Sequence, residues 1–364
     1  MLSRRARGSL VVTWLSMAVF AGCAPQAERA APWRLSPESP VALDDAALVA
    51  RIGRALDAAA MAGTDPGISQ FHVRAATVVV HDGAEHVVVG GNTEYGVPEA
   101  VHGEVSLVNH VTARFGAETA RRGVQFVAFY SQSCGDSRGC GDCRDYMRAA
   151  TEYQRLLWVC GRASDRSIHV RRFSDGLIDE TEFPDATLEQ VGLPAADFDR
   201  LIDAARTARE GGITLFTGPD RHTGAAALTW SGRIYRAAGA DDAAFHYRFP
   251  VGGVLQQAAT ERDYLVRAIA VVGAPGAWPH VAYRDRQYGF EFSSFATMRG
   301  RPATLLLLSD GRGRVKATTF DLALPKPFSV ARFNPDALER FLDRQRVAPA
   351  AVVPPAPVAQ APVR

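Results

Sequence analysis

His102 and Glu104 stand two residues apart, and Cys134, Cys140 and Cys143 fall within ten residues further along the chain. Zinc favours thiolate and imidazole donors in tetrahedral geometry, and a catalytic zinc keeps one position open for water. One histidine and two cysteines leave that position open. The ion lowers the pKa of its bound water, and a nearby glutamate that is not a ligand can carry protons to a leaving group. These residues therefore hold the donors and the base of a metal-dependent hydrolase. A competing use exists. Four cysteines follow Cys23, the fourth being Cys160, and in an exported chain an even number also permits disulfides.

Hydrophobic periodicity predicts the elements that must position these groups. A helix over Val101–Phe115 places His102 at its start, with Val105, Val108 and Val111 on one face. The apolar run Val124–Tyr130 reads as a buried strand leading into the cysteine loop, followed by a helix over Cys143–Leu157 and a strand over Ile168–Phe173. Ahead of them come a helix over Asp44–Met61 and strands Val73–His81 and His86–Val89, which turn at Asp82-Gly83. Beyond Leu193 the order recurs. A helix runs to Arg209, a hairpin joins Ala225–Trp230 to Ile234–Ala238, and a helix covers Val254–Ala270. Strands at Val281–Tyr283, Thr304–Leu308 and Val315–Phe320 follow, then a short helix Pro335–Arg344 capped by Asn334. The fold class is α/β, and the repeated order suits an internal duplication.

His102-Gly103-Glu104 with Cys140-x-x-Cys143 resembles the H-x-E and C-x-x-C signature of zinc nucleobase deaminases. Phe71-His72-Val73-Arg74-Ala75 and Gly91-Asn92-Thr93-Glu94 precede it in the order found in cytidine deaminases. Ser231 to Tyr235, Ala243-Ala244-Phe245 and Pro250 are similar to the degenerate second repeat of the two-domain members, so the resemblance spans roughly residues 65–325. It implies tandem three-layer α/β/α cytidine deaminase-like domains, catalytic over 43–192 and degenerate over 193–346. By the same resemblance His102 and two cysteines hold Zn2+. Zinc-bound hydroxide attacks the amine-bearing carbon of cytidine or a related nucleoside, and Glu104 shuttles protons. Asn92 and Glu94 match ribose contacts, Phe71 matches an aromatic of the base pocket, and Gly103 offers backbone to the base. The second repeat keeps His246 without an acid two positions on and without cysteine, so it binds no zinc. A homodimer is the expected assembly.

The cysteine loop departs from the pattern, because Gly139 rather than proline precedes Cys140. Cys134 lies 30 residues beyond Glu104, nearer the usual family spacing, and a Cys134 with Cys143 pair leaves eight residues between them. Cys143 is thus one ligand and its partner is Cys140 or Cys134, the spare cysteine being available to Cys160.

The chain ends carry different signals. Arg4, Arg5 and Arg7 precede the apolar stretch Leu10–Phe20, and Ala21-Gly22-Cys23 resembles the bacterial lipobox. That implies a signal peptide over 1–23, lipidation of Cys23, and a lipid anchor on the periplasmic side of the cell envelope. Residues 24–42 read as a flexible tether and 347–364, rich in Pro, Ala and Val, as a disordered tail. The 364-residue chain has 47% hydrophobic and 22% charged residues, as a packed globular protein does, and its net charge of +2 gives no support for a nucleic-acid partner. Three functions follow as expectations: a zinc deaminase of cytidine or a related nucleoside, the same chemistry on an amidine-like or other heterocyclic substrate, or a non-catalytic, disulfide-stapled lipoprotein.

Overall fold

The computed structural model describes residues 31–67, 71–94, 100–132, 134–135, 138–213, 222–241, 247–327, 334–345 and 347. The signal segment with Cys23, the start of the tether, the loop residue Asp136, the stretch with Ala243, Ala244, Phe245 and His246, and the tail from 348 onward lie outside the described residues.

In chain order the first part runs β1 (Arg34–Leu35), α1 (Ala46–Ala60), β2 (Arg74–His81), β3 (Ala84–Gly91), β4 (Thr93–Glu94) and β5 (Ala100–Val101). It continues through α2 (Gly103–Phe115), α3 (Ala117–Gly123), β6 (Phe126–Ser131), α4 (Gly141–Ala150), β7 (Leu157–Arg162) and β8 (Ser167–Arg172). The chain then passes α5 (Leu188–Val191), α6 (Ala195–Glu210), β9 (Gly224–Thr229), β10 (Ile234–Ala238), β11 (Ala240–Asp241) and β12 (Tyr247–Arg248). Last come α7 (Pro250–Thr260), β13 (Val266–Val272), α8 (Tyr283–Met298), β14 (Leu305–Ser309), β15 (Val315–Thr319), α9 (Phe320–Ala323) and α10 (Pro335–Arg344).

Local chemistry explains most of these boundaries. Asp45 caps α1 by accepting from the backbone N–H of Ala47 and Leu48, at 2.8 and 3.2 Å, and the helix buries Ile52, Ala55, Leu56 and Ala59 along one stripe. Asp82 and Gly83 both take positive φ, the condition for the tight turn that joins β2 to β3. Along β2, alternate residues serve two cores. Ala76 and Val78 pack on α1, whereas Ala75 and Val79 join Leu107, Val108 and Val111 of α2. The first sheet is therefore the middle of three layers.

The order of that sheet is β1-β8-β7-β6-β2-β3. The second sheet runs β10-β9-β13-β14-β15. Over five strands from the hairpin, β3 to β8 in the first sheet and β10 to β15 in the second, the senses agree: antiparallel, antiparallel, parallel, antiparallel. The first sheet adds β1, parallel to β8, at its far edge. The layering agrees too, with α6 covering one face of the second sheet and α7 and α8 the other.

Four readings from the sequence need correction. Residues 33–41 are not tether: β1 pairs in parallel with β8, Trp33 is buried, and Val41 N–H donates to the Val170 carbonyl. The helix expected to reach Leu157 ends at Ala150, because Leu157, Trp158 and Val159 pair with β6. The helix expected over Val254–Ala270 ends at Thr260, and the β-branched run from Val266 enters the centre of the second sheet. The strand expected at Val281–Tyr283 is instead the approach to α8, whose buried positions include Arg286, Ser293 and Ser294 and so give no clean apolar stripe.

Candidate metal centre

Two helix N-termini converge on one point. His102 is the N-cap of α2, with extended backbone (φ −74°, ψ 150°) and no side-chain capping bond, so its imidazole is not spent on its own helix. Cys140 is the N-cap of α4 and likewise makes no capping bond, while Cys143 lies in the first turn. His102 Nδ1 is 3.0 Å from Cys143 Sγ and 3.2 Å from Cys140 Sγ, and the two sulfurs are 3.4 Å apart. All three donor atoms lie within 4.8 Å of one another. The N-terminus of a helix favours negative charge, which suits thiolates placed there.

The titration of the three groups follows from their contacts. Hydrogen bonds from Cys143 and His102 hold the Cys140 thiol well below its ordinary value. Burial pushes the Cys143 thiol up. The hydrogen bond to Cys140 raises His102 to about 9. Glu104, in the first turn of α2, is only 5% exposed, and burial pushes its carboxyl up. Its Oε2 is buried with no hydrogen-bond partner. A nitrogen and two sulfurs with a fourth direction open are a zinc-type donor set, and an orphaned carboxylate oxygen in the same pocket needs a partner. The residues fit a zinc ion.

Cys134 does not belong to this group. It is bonded to Cys160, with a Cα–Cα distance of 5.7 Å. Cys160 lies on β7 in register with Phe129 of β6, so it stands beside the chain as that chain leaves β6 for the cysteine loop. Among the described residues Cys140 and Cys143 are the free thiols. Of Cys140 and Cys134, Cys140 is the one whose sulfur stands beside Cys143.

The residues read as substrate contacts divide. Phe71, 45% exposed, joins Glu104, Phe129, Gly139, Trp158 and Cys160 in lining a cleft of about 360 Å³. Gly103 is buried where α2 begins, against Val73. Asn92 is buried and occupied with backbone: its Oδ1 accepts from Val73 N–H at 2.8 Å and its Nδ2 donates to the Phe71 carbonyl at 2.7 Å. One N–H and one lone pair of that amide remain for another partner. In this structure Asn92 sets the place of Phe71. Glu94 is half-buried in β4, which pairs with β5 immediately before His102.

Trp158, Phe129 and Gly139 were not anticipated as site residues. Trp158 and Phe129 pack with ring centroids 4.5 Å apart, tilted by 44°, and both line the cleft. Alternation along β7 was the available signal, masked by its nearness to α4. Gly139 has φ +83°, and a Cβ there would lie 3.2 Å from Cys143 Cβ and 3.4 Å from Glu104 Oε1. A side chain at this position would be strained and would crowd the carboxylate.

The second sheet lacks these donors at the matching helix positions. Phe249 is the N-cap of α7 and Val251 its second residue, against His102 and Glu104 of α2. Ala282 is the N-cap of α8 and Asp285 its third residue, against Cys140 and Cys143 of α4. Asp285 is buried and accepts from Val251 N–H at 3.1 Å, and burial raises its carboxyl to about 7. A carboxylate of the chain itself therefore sits where the first sheet gathers its thiols.

The two sheets meet through α4 and α8. Asp145 of α4 accepts from the N–H groups of Tyr283 and Arg284, at 3.0 and 2.9 Å, at the start of α8. Asp142 pairs with Arg284 rather than capping its own helix. A Cβ on Gly141 would lie 2.1 Å from the Tyr283 carbonyl oxygen, so the helices approach as closely as glycine permits. Gly141→Ala is expected to force them apart and to destabilise the fold by about 2–3 kcal/mol. A denaturation midpoint unchanged from the parent would show that the contact yields at no cost.

No family model and no curated protein matches the chain. Among solved structures, the cytidine deaminase from Burkholderia pseudomallei has 26% sequence identity, covering 36% of this chain and 98% of its own, with a TM-score of 0.31. The cytidine deaminase from Mycobacterium tuberculosis has 20% identity, covering 36% of this chain and 98% of its own, with a TM-score of 0.28. That from Mycobacterium leprae has 13% identity over 35% and 97%, with a TM-score of 0.26. These structural neighbours are cytidine deaminases, similar to little more than a third of the chain.

Proposed function

We propose that this chain is a zinc-dependent hydrolytic deaminase of the cytidine deaminase type, acting on cytidine or a related nucleoside. The observation that carries the reading is the convergence of His102 Nδ1, Cys140 Sγ and Cys143 Sγ beside a buried glutamate with an unpartnered oxygen. His102, Cys140 and Cys143 would hold the ion. Zinc, when bound, supplies a Lewis acid that makes water nucleophilic at neutral pH. Glu104 would take a proton from the attacking water and deliver it to the departing amine, a role its raised pKa suits. Phe71 and Trp158 offer flat apolar walls to a planar ring, and Gly103 offers backbone. Asn92 and Glu94 face the sugar in this reading. The reaction consumes water and releases ammonia.

We propose with it that the second sheet is a degenerate repeat of the first, on the agreement of strand order, sense and layering. A lipid anchor at Cys23, a place on the periplasmic side of the bacterial envelope, and a homodimer are proposals resting on sequence resemblance. Among the described residues no helix is long and apolar enough to cross a membrane.

Metal analysis of the purified chain is expected to give about one zinc, and cytidine is expected to release ammonia. A Cys140–Cys143 disulfide without zinc would overturn the proposal. Zinc without turnover of cytidine would move the same chemistry to another heterocycle, a reading favoured by the disulfide residue Cys160 in the cleft wall.

Metal uptake has a proton signature. In the metal-free chain His102 is raised to about 9 and is charged at neutral pH, the Cys143 thiol is pushed up and held protonated, and the Cys140 thiol is lowered by its neighbours. Binding needs a neutral imidazole and two thiolates, so at least two protons leave, one each from His102 and Cys143. Apparent affinity should rise by about 100-fold or more from pH 7 to pH 8. Calorimetry in buffers of different ionisation heat checks this, and release of no proton would contradict the assigned charge states.

A further inference from the structure

The loop between β6 and α4 is held at both ends. At its front end Cys134 is bonded to Cys160 of β7, and the carbonyl of Gly135 accepts from Arg171 Nη1 at 2.8 Å. The anchor is rigid, since Cys160 pairs with Phe129 on one side and His169 on the other, in the interior of the first sheet. At its far end Gly139 packs against Cys143 and Glu104, and its carbonyl accepts from Arg144 Nε at 3.2 Å. Cys140 follows at once. Where the disulfide pins the front of so short a loop decides where Gly139 and Cys140 arrive.

We infer that Cys134 and Cys160 are positioning residues of the metal centre: their disulfide withdraws a third thiol from the ligand set and fixes the loop that seats Gly139 against Glu104 and Cys140 beside Cys143. The inference rests on the zinc reading of His102, Cys140 and Cys143. It also has a defined reverse. A dithiol reductant breaks the Cys134–Cys160 bond, gives up two electrons to become a disulfide itself, and leaves one proton on each of the two sulfurs. Cys134 is then a third thiol on a released loop, close in sequence to Cys140, and thiolate sites accept such a ligand readily.

The test uses the full chain, made metal-free in three forms: oxidised, reduced with a dithiol that is then removed without air, and the double variant Cys134→Ser with Cys160→Ser. Cobalt(II) is the probe, since its sulfur charge-transfer absorbance counts thiolates, and a competing chelator gives affinity. The oxidised chain is expected to bind one cobalt with two thiolates. Reduction should raise that absorbance by about half, three sulfurs against two. The double variant, equally without the crosslink, should stay at two thiolates and lose about 10-fold in affinity, as outer residues that orient ligands typically cost. A merely structural disulfide would move the reduced chain and the double variant alike, and that result overturns the inference. The inference is overturned if reduced and variant chains both keep the two-thiolate spectrum and the oxidised affinity. Failure of the oxidised chain to bind cobalt overturns the metal-centre reading itself, and is distinguishable on that ground.

Discussion

Glu104→Ala is expected to keep about one zinc per chain and to lower ammonia release by about 10²–10⁴-fold, the range that positioned acid–base groups contribute. The donor atoms belong to His102, Cys140 and Cys143, so removing the carboxylate takes nothing from the set that gathers within 4.8 Å. Glu104→Gln should be nearly as slow, because it keeps the shape and cannot carry the proton. The two variants differ in what they do to the fold. Glu104 is buried with one oxygen unpartnered, which costs stability. The metal-free glutamine variant should therefore unfold at or above the parent temperature while losing turnover. Loss of zinc together with turnover would remove Glu104 from the proton path and make it part of the ligand shell.

The largest stability effect is expected at Arg144. Its side chain is fully buried and pairs with no carboxylate among the described residues; it binds carbonyls instead. Nε donates to Gly139 at 3.2 Å, Nη1 to Gly176 at 2.7 Å, and Nη2 to Pro325 and Lys326 at 2.8 and 3.0 Å. Three separate segments are thus tied to the residue that follows Cys143. Burial lowers the guanidinium to about 10, still charged at neutral pH. Arg144→Met keeps much of the volume and takes the guanidinium hydrogen bonds from those carbonyls, at an expected cost of about 3–5 kcal/mol in denaturant unfolding. Arg155→Ala is the control. That side chain is 87% exposed, and its loss should cost about 0.5 kcal/mol or less. An Arg144 variant within about 1 kcal/mol of the parent would mean that water or backbone shifts replace the lost donor.

The first half of the fold was legible because its signals are local. Asp45 caps, Asp82-Gly83 turns, and the stripe of α2 is regular, so those boundaries agree within a residue or two. The His102, Glu104, Cys140 and Cys143 pattern could be read because helix starts put small groups of residues in fixed places. What stayed hidden depends on partners distant in sequence. Leu157 continues a helical pattern until β6 pairs with it. The fate of Cys134 turns on Cys160, whose strand was not foreseen. Helix α8 buries Arg286 and Ser293, which no apolar stripe announces; Arg286 is satisfied by Glu180 and the Val281 carbonyl. The second set of helix starts was equally opaque, since Asp285 reads as an ordinary surface acid until Val251 N–H is seen to meet it.

The contact between α4 and α8, made by Asp145 and allowed by Gly141, lies within one chain. Dilution cannot dissolve it, for the two partners share a covalent backbone and meet at an effective concentration no separate pair of subunits would maintain. Nor need the two sides remain alike. A symmetric pair would carry every substitution twice, whereas here one helix carries Cys140 and Cys143 and the helix it meets carries Ala282 and Asp285.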